Sequence, residues 1–160
     1  MTEASIALDM RIRAEEAATI AASRFGKDLD FSTSSLEQLE EILSGFHDGL
    51  SLLAGQKDLE LSPLLARVQH MAILCGAYLG ETFRRRWGGN WLLSGADGRA
   101  EPTLQIGILS LSPISRVYKR LIHGPSENVW AYAKVLEEEL SGTIGGGSPG
   151  RSDILQDTVP

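Results

Sequence analysis

The sequence predicts an α+β fold, mainly helical, on three observations. Four segments carry apolar residues at steps of three and four, the mark of amphipathic helices. One segment near residues 90–109 alternates with a period of two, as a strand does. The 160 residues show no internal repeat and suit a single core.

Residues 3–25 form the first predicted helix. Ile6, Met10, Ala14, Ala17, Ala21 and Phe25 make one stripe, and Gly26 is a natural stop. The stripe is rich in Ala and buries little area. Weak or partner-dependent docking of residues 1–30 is therefore expected. Residues 34–54 carry a stronger seam, Leu36, Leu39, Leu43, Phe46, Leu50 and Leu53. Ser34 and Glu37 have the spacing of a capping box, and Gly45 and Gly49 weaken the middle. Ser62-Pro63 opens a long central helix over 63–87, about 37 Å long, that is apolar nearly all round. Gly76 and Gly80, four apart, let another element approach its backbone.

A small antiparallel hairpin is expected over about 90–109. Its strands are 90–93 and 103–109, its turn is at 94–100, and Leu104, Ile106 and Ile108 face one way. A short helix starts at Ser112-Pro113 and closes at Gly124. A last helix, 126–140, turns Val129, Ala133, Leu136 and Leu140 inward. Residues 31–140 thus read as one globular domain, and 141–160 as a flexible Gly-rich tail.

Composition narrows the function classes. Hydrophobic residues make up 42% and charged residues 22%, which argues against a disordered chain. The net charge is −6, but it is uneven. Residues 1–60 hold 5 basic and 12 acidic groups, residues 61–125 hold 8 and 3, and residues 126–160 hold 2 and 6. A generally basic nucleic-acid binder is excluded, whereas a locally basic site is not. Cys75 is the one cysteine, so neither an internal disulfide nor a Cys-based zinc site is expected. His47, His70 and His123 have no metal-ligand spacing, and no phosphate-loop motif occurs, so no metal or cofactor is expected. The longest uncharged run within a predicted helix, Val68 to Gly80, is shorter than the roughly 20 residues of a membrane span. A soluble cytoplasmic protein with no membrane role is the expectation.

Three stretches stand out together: Gly76-Ala-Tyr-Leu-Gly-Glu81, Arg84-Arg-Arg-Trp-Gly-Gly-Asn-Trp91, and Pro113-x-x-x-Val-x-Lys-Arg-Leu121 with Gly124. They resemble a family of small uncharacterised bacterial domains that pair a long helix ending in Gly-Gly-x-Trp with a hairpin and a further helix. The resemblance covers about residues 34–140 and implies the fold and a bacterial origin.

Glu81 is the most pointed residue for chemistry. It ends a nearly uncharged helix face and could pair with Arg85 at i+4, or with Lys119 or Arg120 across the domain. The simpler reading is an ion pair that orients two helices, because one carboxylate without a second acid, base or metal ligand is thin ground for catalysis. Cys75 reads as a small core residue and His70 as a solvated one. Arg84, Arg85, Arg86, Trp87 and Trp91, with Arg116, Lys119 and Arg120, have the composition of a protein-binding hot spot or of a phosphate surface. They are equally a solvated helix end beside core tryptophans.

The favoured expectation is a non-enzymatic interaction protein, immunity- or adaptor-like, with another protein as partner. A small enzyme or binding domain for an anionic ligand, using Glu81 and nearby cations, is the alternative. Nucleic-acid binding comes third, and pairing with a second copy of the chain is open.

Overall fold

The structure is a computed structural model that describes residues 2–56, 61–95 and 100–144. In order it runs α1 (Glu3–Phe25), α2 (Ser35–Ala54), α3 (Leu61–Trp87), β1 (Asn90–Ser94), β2 (Glu101–Ile106), β3 (Leu109–Leu111), α4 (Pro113–His123), a 3₁₀ turn (Pro125–Glu127) and α5 (Val129–Ile144). It is α+β and mainly helical, as the periodicities predict. The sheet has three antiparallel strands in the order β1-β2-β3. Among the described residues no helix is long and apolar enough to cross a membrane.

α3 is the centre, and α1 and α4 are the elements most extensively packed on it. Its residues 74–83 are all buried, ten in succession, as a helix apolar nearly all round requires. The glycines behave as their spacing predicts. A Cβ on Gly76 would lie 2.5 Å from the Ile114 Cα, so α4 crosses α3 there. A Cβ on Gly80 would collide with the Trp91 ring.

α1 seats Ile6, Met10, Ala14, Ala17 and Ala21 in the same buried cluster as the other helices. Phe25, the last residue of that stripe, is instead 43% exposed. Thr2 and Ser5 form a reciprocal capping box at the start of α1, and Gly26 ends it in the left-handed region at φ 62°.

The start of α2 departs from the sequence expectation. Ser34 has helical backbone angles and its side chain makes no cap bond. The turn before it does this work: Asp30 accepts from the Ser32 amide and hydroxyl, and Ser32 Oγ accepts from the Ser35 amide at 3.2 Å. α2 runs unbroken through Gly45 and Gly49. Leu36, Leu39 and Leu43 are buried, while Leu50 and Leu53 are only half-buried. α3 begins at Leu61, so Ser62 lies within it rather than capping it.

The expected second strand is two strands. Gly107 and Ile108 form a two-residue turn between Ile106 and Leu109, with Gly107 at φ 59°. A tight hairpin whose strands twist right-handedly needs that positive φ. Ile108 therefore sits at the tip, 83% exposed, and not on the inner face. Of the expected 94–100 turn, residues 96–99 lie outside the described ones. Of the expected tail, 141–144 belong to α5 and 145–160 lie outside. α4 has Pro113 in its first turn, and Asn128 caps α5 by accepting from the Ala131 amide at 2.8 Å. Val129, Ala133, Leu136 and Leu140 are buried, as their spacing predicts.

Candidate functional site

The last turns of α3 and the first residues of β1 bring three of the predicted residues together. The Glu81 side chain is 1% exposed. Its Oε2 accepts from Arg84 Nε at 2.5 Å and from the Trp91 indole N–H at 3.0 Å, and its Oε1 accepts from Arg84 Nη2 at 3.1 Å. The expected i+4 partner, Arg85, is not the one used. Burial alone would raise the Glu81 carboxyl. The bonds from Arg84 and Trp91, with the charges of Arg84 and Arg85, outweigh it and hold the group below its ordinary 4.5. Arg84 is raised in turn, first by its bond to Glu81.

An open cleft of about 440 Å³ lies beside this pair. Glu3, Arg11, Glu81, Arg84, Asn90 and Trp91 line it, together with small residues of α1. Its chemistry is limited. A general acid must carry a proton at working pH, and this carboxyl is held ionised. As a base, Glu81 already has both oxygens bonded to donors. The arrangement fits a tie that fixes β1 to the end of α3, with the Trp91 ring lodged against Gly80.

The other candidates do not join them. Arg85 stacks on the Phe31 ring, 3.6 Å from its centroid, and Arg86 lies 4.8 Å from the centroid of Trp87. Arg116 pairs with Glu127 at 2.7 Å and sits over the Tyr132 ring. Lys119 is half-buried on α4 and does not line the cleft. Arg120 is 1% exposed and bonds both oxygens of Glu40 through Nε at 3.0 Å. Trp91 is 2% exposed, so neither it nor Arg120 meets solvent. Apart from Arg84 with Trp91 and Arg86 with Trp87, each of these arginines is engaged at a different place, with Phe31, Glu127 or Glu40.

Glu40 escaped the sequence reading. Besides holding Arg120, it accepts from the Val129 amide at 2.9 Å, so one carboxylate joins α2, α4 and the start of α5. Its spacing was a usable signal, since Leu36, Glu40 and Leu43 share one helical face and a charge there needs a partner. Cys75 is buried and its thiol is pushed up to about 12 by that burial, which suits a core residue and not a nucleophile.

Two further grooves lie beside the first half of α3. Residues 62–67 of α3, apart from half-buried Leu64, are exposed, in contrast to the second half of the helix. On one flank a groove of about 220 Å³ is walled by Leu50 and Ala54 of α2, Leu64 and Leu65 of α3, and Leu121 and Ile122 of α4. On the other, a groove of about 510 Å³ lies between α1 and α3, with Phe46 of α2 at its side. Leu65 and Ile122 of the first groove are 44% and 38% exposed, and Phe25 of the second is 43% exposed. No protein-family model, curated protein or solved structure matches this chain.

Proposed function

We propose that this chain is a non-enzymatic bacterial protein-interaction module, immunity- or adaptor-like, soluble and cytoplasmic, that acts by binding another protein. One observation carries the reading: two grooves flank the N-terminal half of α3, with exposed Leu65 and Ile122 lining one and exposed Phe25 lining the other. Exposed apolar side chains beside a groove suit a binding surface. The groups that could do chemistry point the same way, because Glu81, Arg120 and Cys75 are interior. The proposed surface is accordingly not the basic and aromatic one that the sequence suggests, since Trp91 and Arg120 are inaccessible to a partner.

A small anionic ligand is the second reading, favoured by Arg11 and Arg84 lining one cleft. It ranks lower because Glu3 and Glu81 line that cleft too and Arg84 is already paired. A photo-crosslinking residue placed at Ile122, at Leu65 and at Ile108 tests the main reading in the native host. The same protein adduct should recur from Ile122 and Leu65 and be missing from Ile108. No adduct from the first two, or equal adducts from all three, would count against it.

A further inference from the structure

Resting on the interaction-module reading, we infer that the groove between α1 and α3 seats an acidic amphipathic helix of the partner protein. Three features of the groove select that occupant.

The first is its length. Glu16, Ile20 and Arg24 follow one another at steps of four along α1, a wall of about 12 Å. The facing wall of α3, from Ala66 to Leu74, has the same length. A helix laying down apolar residues at i, i+3 or i+4, and i+7 covers about 10.5 Å, which matches both walls.

The second is the backbone of the walls. Both are helices, whose amides and carbonyls are bonded within each helix. An extended peptide would find no free strand edge there. A helical segment satisfies its own backbone and needs only side-chain contact. Ile20, Phe46 and Met71, all half-buried, and exposed Phe25 offer that contact.

The third is charge. Arg24, Arg67 and His70 line the groove and have no hydrogen-bond or ion-pair partner among the described residues. Glu16 is the one acidic residue lining it among the described residues. Elsewhere Arg13, Arg84, Arg116 and Arg120 each hold a carboxylate of the chain itself. No described carboxylate occupies the two groove arginines, which suits them to carboxylates of a bound helix. Exposed pairs of this kind are individually weak. They set orientation and sign, while the apolar floor supplies most of the affinity.

The test uses the full chain and two synthetic helical peptides of 14 residues. Each has Leu at i, i+3, i+7 and i+10; one has Glu and the other Lys at the outer positions. Fluorescence anisotropy reads affinity and amide NMR reads location. The Glu peptide should bind at least tenfold more tightly than the Lys peptide and shift amides of residues 16–25 and 66–74. The double variant R24E/R67E should weaken it at least tenfold, whereas K134E on α5 should leave it within twofold. Equal binding of the two peptides, indifference to R24E/R67E, or shifts confined to other residues would overturn the inference. So would sedimentation showing that the free chain self-associates through this groove, since a second copy would then be the occupant. If the peptides fail while crosslinks from Ile122 and Leu65 still capture one protein, the inference falls and the module reading stands.

Discussion

Arg120 and Glu40, 80 positions apart in the chain, form a buried two-pronged ion pair in which Arg120 Nε reaches both carboxylate oxygens at 3.0 Å. Nη2 adds a third contact at 2.9 Å. The pair sits where α2, α4 and the start of α5 meet. Removing one partner leaves the other charge buried alone, so Arg120→Met or Glu40→Gln should each cost about 3–5 kcal/mol in urea unfolding. The double variant R120M/E40L should recover much of that loss, because an apolar pair of similar bulk needs no solvation. Additive losses in the double variant would contradict this account.

Glu81 gives stability a definite pH dependence. Its carboxyl titrates below 4.5 in the folded chain and near the ordinary value when unfolded. A depressed pKa contributes stability that is complete above about 4.5 and fades as the pH falls through the folded value. Wild type should therefore exceed Glu81→Gln in unfolding free energy at pH 7 and lose that advantage progressively as the pH falls below 4.5. A gap that stays constant across this range would show that the carboxylate charge is not what ties Trp91 and Arg84 together.

Glycine-to-alanine changes should split by location. Gly45 and Gly49 have open space where a Cβ would go, so alanine there should stabilise by up to about 1 kcal/mol each through helix propensity. At Gly76 the same change meets the Ile114 backbone, which cannot swing aside as a side chain can. G76A should destabilise by about 1–3 kcal/mol despite its better propensity. Thermal or urea midpoints of the three variants decide the point.

The Cys75 thiol should be silent in the native state. Burial pushes it up to about 12, so almost no thiolate exists at pH 8. An aromatic disulfide reagent should label it only at the rate of unfolding, and labelling should become fast in denaturant. Rapid labelling of the native chain would show that the α3 core opens locally.

Much of the fold was legible because helical periodicity is local. The stripes of α1 and α5, the close approach at Gly76 and Gly80, and the central place of α3 all follow from spacing within one segment. The shortfalls come from interactions that spacing does not carry. Arg120 looked like part of a basic surface because its carboxylate lies in another helix. Glu81 was matched to Arg85 by the i+4 rule, yet Arg85 is stacked on Phe31, a residue of the loop before α2. Trp91 reads equally as an exposed anchor or a core residue until Gly80 is seen to make room for its ring. The split of the second strand at Gly107 was hidden because Ile108 continues the alternation through the turn.

The unequal burial along α3 makes that helix its own reference for hydrogen exchange. Amides of residues 74–83 should exchange only when the whole domain unfolds, while those near 66–70 should exchange through local opening of the exposed half. A partner lying on that half would slow the second group and leave the first unchanged. One exchange experiment on one continuous helix would then report occupancy and global stability separately.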